Sequence, residues 1–218
     1  MPGAFSQLTV LGSSLALVCV LILLWRRRVS AYISAFRWQS IAIAAVTVVV
    51  ARFAHEPALY AMAAVIFVIK ALAIPRLLRR MDARFGAARE LAPYVNTATS
   101  LLVSGGLVVI AYVVTRPLVA VTQLPTRAGL PLAMGVVFVS LFVMVSRKKA
   151  LTQIVGFLML ENGVALLAVL GTYGIPLVVE FGVYLDLLMG FLVMQIFVYR
   201  IHETFDHLDV EQLSDLRH

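Results

Sequence analysis

Seven stretches of this chain stay apolar for nearly the thickness of a bilayer, and this constrains the fold more than any other feature. A helix needs about 20 mostly apolar residues to cross the hydrocarbon core. Segments 6–25, 33–51, 57–74, 99–115, 129–145, 151–171 and 175–199 approach that length. The second is the weakest, with Arg37 and Gln39 in its first turns. Alternating strand patterns are absent, which argues against a membrane barrel. Composition agrees: 62% of the 218 residues are hydrophobic and 13% charged, whereas soluble domains hold about 45–50% apolar and about 25% charged residues. So apolar a chain has too little polar surface to cover itself in water. The sequence therefore predicts an all-α polytopic membrane bundle of seven transmembrane helices and excludes a soluble globular enzyme.

The distribution of charge sets an orientation. Thirteen Lys and Arg residues follow spans one, three, five and seven, among them Arg26, Arg27, Arg28, Arg76, Arg79, Arg80, Arg147, Lys148 and Lys149. Only Arg52, Arg116 and Arg127 fall on the other side. Cytoplasmic loops carry the excess of Lys and Arg, so the N-terminus is expected outside and the C-terminus inside, in a cell inner (plasma) membrane. The net charge of +7 is thus a topological signal, and nucleic acid is not an expected partner. The first span is too long for a signal-peptide core and its charges follow it, so it reads as a retained helix. Cys19 is the one cysteine, which leaves no disulfide within the chain.

Two connections are long. The inner one, 76–98, is basic and partly amphipathic, suited to the membrane surface or a partner. The outer one, 116–128, holds Pro117 and Pro125 and is expected to be irregular.

Ionisable residues inside the spans carry the functional signal, because a charge near the bilayer centre costs at least ~2.5–3.5 kcal/mol. Glu161 lies 12 residues from Lys149, about 18 Å along a helix and so near mid-membrane. It is a candidate for a proton or ion path, or for a structural hydrogen bond. Asp186 falls at a similar depth on the next span, and two carboxylates at one depth raise each other's proton affinity. Glu180 lies nearer the outer end and either continues a polar track or reaches the interface. Lys70, in the third span, either snorkels to the cytoplasmic surface or faces a carboxylate inside the membrane. Ser104, Gly105 and Gly106 read as a packing or bending feature of the fourth span. No phosphate loop, nucleotide fingerprint or zinc-helix signature occurs, and His55, His202, His207 and His218 do not group as metal ligands. No cofactor, metal site or catalytic residue is expected in this chain.

The stretch from Lys149 through Glu161-Asn162-Gly163 resembles the hydrogenase 4 component E family. So do the stretch from Pro176 through Glu180 to Asp186, the segment from Tyr199 into the tail, and the third-span run from Lys70 to Pro75. The last three spans are more remotely similar to the small K subunit of respiratory complex I and the C subunit of multisubunit cation/proton antiporters. Glu161 matches the first of their two buried carboxylates. Asp186, four residues before Gly190, fits the second better than Glu180 does, although a glutamate stands there in those subunits. The resemblance implies a non-catalytic membrane subunit of a formate-hydrogenlyase-type group 4 hydrogenase or complex-I-like oxidoreductase. It would have no redox centre of its own. Its partners would be antiporter-like membrane subunits and the membrane anchor of a peripheral hydrogenase-like arm. Glu161, Asp186, Glu180 and Lys70 would be the proton-relay residues. A subunit of a cation/proton antiporter without a redox arm is the other reading. The expected organisation is a four-helix region (1–128), a K-subunit-like three-helix region (129–200) and a cytoplasmic tail (201–218).

Overall fold

A computed structural model describes residues 2–85, 95–121 and 123–173, all of which fall in one compact unit, 1–183. The described residues are helical, with no strand among them. Six helical rods are long and apolar enough to cross a membrane, and they match the first six expected spans. The seventh, 175–199, lies outside the described residues, as do Glu180 and Asp186.

The first two rods are α1 (Pro2–Ile22) and α2 (Val29–Ala54). The third is a continuous rod built from α3 (Pro57–Val65), a π-helical segment (Ile66–Ala73) and α4 (Ile74–Phe85). Then come α5 (Thr97–Val121), α6 (Leu130–Ser146) and α7 (Ala150–Thr172). α7 packs on α6 and α2, α1 packs on α2 and α6, and α5 lies against α6.

Two rods overrun their expected ends. The basic connection after the third span begins as helix, because Ile74, Leu78 and Met81 are buried at the three- and four-residue spacing of one helix face. Arg76, Arg79 and Arg80 stay exposed on the other side. α5 continues through Pro117 to Val121, so the outer connection is irregular only after that point. A proline removes one backbone hydrogen bond, and membrane helices tolerate this.

The two ends of the bundle differ in chemistry. At one end Arg147, expected as a loop cation, is buried instead. Its guanidinium donates to the carbonyls of Leu23 (2.8 Å) and Leu24 (3.3 Å), just past the last turn of α1. It also lies over the Tyr32 ring, 5.5 Å from the centroid, and the Tyr32 hydroxyl donates to the Leu23 carbonyl. A cation is favoured there because helix-terminal carbonyls are unsatisfied and carry the negative end of the dipole. The ends of α1 and α6 that precede the two basic clusters therefore meet. At the other end Phe5 packs against Phe53 with the rings tilted by 46° and meets Tyr173 edge-on.

Candidate functional site: a buried ion pair between the third rod and α7

Glu161, Asn162 and Gly163 occupy the middle of α7 and face three different neighbours. Successive helix residues are turned by about 100°, so three in a row sample most of the circumference. Glu161 turns to the third rod, where its Oε1 lies 3.1 Å from Lys70 Nζ. Asn162 turns to α2 and donates from Nδ2 to Gln39 Oε1 (3.1 Å) and Ser40 Oγ (3.0 Å). Gly163 turns to α6, where an added Cβ would sit 2.8 Å from Val136 Cγ1 and 3.0 Å from the Val137 backbone nitrogen. Gly156, two turns earlier, makes the same close approach to the Met144 backbone.

The ion pair is shielded from outside: Lys70 is 1% exposed and Glu161 4%. Lys70 therefore does not snorkel. It is the intramembrane cation facing a carboxylate. Removing two charges from a polar solvent costs several kcal/mol per ion, and a close partner offsets this only with good geometry. Such a pair is weak evidence for stability.

A local feature aims the lysine. Pro75 has no N–H to give to the Ala71 carbonyl, and its ring crowds the preceding turn. The helix widens there: the Ile74 N–H bonds the Ile69 carbonyl, five residues back. The π segment turns Lys70 by less per residue than an α-helix does, and π turns are frequent at functional sites. The proline was visible in the sequence, but the wide turn it causes was not.

The polar group extends past the ion pair. Gln39, Ser40, Lys70, Glu161 and Asn162 are all buried. Among the described residues, Gln39 Nε2 and Asn162 Oδ1, a donor and an acceptor, have no hydrogen-bond partner. Gln39, in the first turns of the weakest expected span, lies inside the bundle on α2. Chemically, the site offers one acid, one amine and a string of amide and hydroxyl groups, all buried. A carboxyl and an amine can each take up or release a proton. Among the described residues no group of His, Cys, Asp and Glu is placed to hold a metal ion.

Comparison with known proteins gives two kinds of relative. No family model matches the chain, and no solved structure matches it. Hydrogenase-4 component E of Escherichia coli K12 is 26% identical over 157 residues, 69% of this chain and 70% of that protein, and the protein of the same name from Shigella flexneri matches equally. An uncharacterized protein of Mycobacterium tuberculosis, Rv0085, is 39% identical over 207 residues, 94% of each chain. At that identity, and over nearly the whole of both chains, this protein belongs to the same family as the uncharacterized Rv0085 protein of Mycobacterium tuberculosis, with hydrogenase-4 component E as a more distant relative.

Proposed function

We propose that this protein is a non-catalytic membrane subunit of a group 4 hydrogenase or complex-I-like oxidoreductase, in which the Lys70–Glu161 pair belongs to a proton (or cation) path. The observation that carries the reading is the pair itself: an acid and an amine 3.1 Å apart inside a bundle of membrane-length helices. Likeness to hydrogenase-4 component E over 69% of the chain supports the setting. A carboxylate and a lysine in contact tune each other's proton affinity, and a shift of either partner moves a proton along the polar string. Asp186 and Glu180 are proposed to extend the path on the seventh span. The N-terminus faces outward and the C-terminus faces the cytoplasm of a cell inner membrane. The partners proposed are antiporter-like membrane subunits and the anchor of a peripheral redox arm, and that arm performs the electron transfer.

The test is to purify the native complex through a tag on this chain, identify its subunits and assay nickel and iron. Antiporter-like subunits without a metal-bearing arm would move the assignment to a cation/proton antiporter complex. Within the complex, Glu161→Gln preserves volume and an acceptor oxygen for Lys70 but carries no exchangeable carboxyl proton. We expect assembly to persist and coupled proton movement to fall about tenfold or more, in the range of a lost acid–base group. Unchanged coupling would refute the relay, and loss of assembly would favour a structural pair.

A further inference from the structure

A groove on the outer side of α1 and α2 has a different character. It encloses about 750 Å3 and is lined by Leu15, Val18 and Cys19 of α1 and by Ala35, Trp38 and Ala42 of α2, with Arg26 at one end. Its existence follows from residue size. Ala31, Ala35, Ala42 and Ala45 leave a recessed floor on α2, and Trp38, 64% exposed, stands up from it. On α1, Leu15 and Val18 are about half exposed. Apart from Arg26 and Ser34 the lining is apolar or weakly polar.

Dimensions and charge both point to one occupant. From Ala31 to Ala45 the floor rises about 21 Å, and from Leu15 to Arg26 the other wall spans about 16 Å. A single leaflet contributes about 15 Å, half of the ~30 Å hydrocarbon core. The groove therefore runs from the basic end of the bundle through one leaflet. An acyl chain is slender enough to lie along a recess that spans one leaflet. At the basic end Arg26, Arg27 and Arg28 are all exposed, and Trp25 beside them is 48% exposed, as suits the headgroup level.

We propose that this groove is a binding site for an anionic phospholipid, its acyl chain lying between α1 and α2 and its phosphate held by Arg26. Basic pockets between membrane helices favour acidic headgroups, by about fivefold in affinity for each Lys or Arg near the surface. The site is separate from the ion pair and does not depend on its role.

The chain has two tryptophans, so Trp25→Phe leaves Trp38 as a reporter inside the groove. The full chain would be placed in phosphatidylcholine vesicles with a small share of brominated phosphatidylglycerol or, separately, brominated phosphatidylcholine. We expect several-fold stronger quenching of Trp38 by the brominated anionic lipid, and loss of that preference in Arg26→Gln. Equal quenching by the two lipids, or a preference that survives Arg26→Gln, would overturn the proposal. A second measurement needs no substitution. Cys19 lines the groove and is the single cysteine, so a photoreactive probe on it reports the neighbour in native membranes. An adduct with anionic phospholipid supports the site, and an adduct with a polypeptide or with zwitterionic lipid alone overturns it.

Discussion

α7 and α5 are alike in hydropathy and similar in length, yet 56% of the central stretch of α7 is buried within the bundle against 17% for α5. α7 turns small and polar residues to several neighbours, whereas the buried small and polar residues of α5 lie on one side. α7 presents Glu161, Asn162 and Gly163 to three neighbours, and each is used. α5 has Ser100, Ser104, Ala111 and Thr115 on one buried stripe toward α6. Its other faces show Leu102, Val109, Tyr112, Val113 and Val121 to the outside. In a bilayer, apolar contact does not distinguish lipid from a neighbouring helix, so close approach and hydrogen bonds decide which helices are inside.

The largest effect should come from breaking the ion pair. Lys70→Met or Glu161→Met alone leaves one buried group without its counter-charge, which costs about 3–5 kcal/mol. Replacing both should recover most of that loss, since an apolar pair of similar volume is often no less stable. Unfolding of the chain in detergent measures all three. A double variant no more stable than the single ones would mean that Lys70 and Glu161 are held by other groups rather than by each other. Leu102→Met on α5, on the same scale, should change little.

Next come the glycines. Gly163→Ala and Gly156→Ala put a Cβ about 3 Å or less from the backbone of α6, so that α6 and α7 must separate. Overpacking of this kind costs about 1–3 kcal/mol. The unfolding midpoint should fall in both variants. An unchanged midpoint would show that the two helices part freely, and the contrast with α5 would lose its basis.

How much of this was legible beforehand follows the same division. The first six spans were readable because hydropathy over 20 residues is a strong signal, and Glu161 was conspicuous because a charge in such a run has no ordinary reason to be there. The contact of Lys70 with Glu161 was not readable, because it depends on the wide turn that Pro75 imposes. Arg147 reads in the sequence as one of the loop cations that set the orientation, and nothing local marks that it reaches back to cap α1 across 123 residues of chain. Ser104, Gly105 and Gly106 are expected to pack or bend; Ser104 is buried, but among the described residues no atom of a neighbouring element lies within 4 Å of where the glycine side chains would begin, and α5 runs through them unbroken. A glycine pair looks the same in sequence whether it meets another helix or nothing.

Asn162→Leu should have a smaller effect than the glycines. It removes two hydrogen bonds to α2 while adding volume, and interhelical bonds in membranes are worth about 0.6 kcal/mol on average and about 1.7 at most. A loss well above 2 kcal/mol would mean that Asn162 organises the whole polar group, including the orientation of Glu161. A readout of coupling separates the two: if Asn162 only ties α7 to α2, Asn162→Leu leaves proton movement at its normal level.

The smallest effect, of opposite sign, belongs to α5. Gly105→Ala and Gly106→Ala meet open space, and alanine favours a helix over glycine by about 1 kcal/mol at most. The chain alone should become slightly more stable or stay unchanged, as measured by the same detergent unfolding. The informative comparison is with the assembled complex. Glycines on an exposed helix face permit close backbone approach by another helix. If the double variant keeps or gains stability as a single chain yet no longer co-purifies with other subunits, α5 is a surface for partners, and its low burial reflects a neighbour supplied by another polypeptide. If assembly is untouched, α5 faces lipid, and its glycines are tolerated there because nothing presses on them.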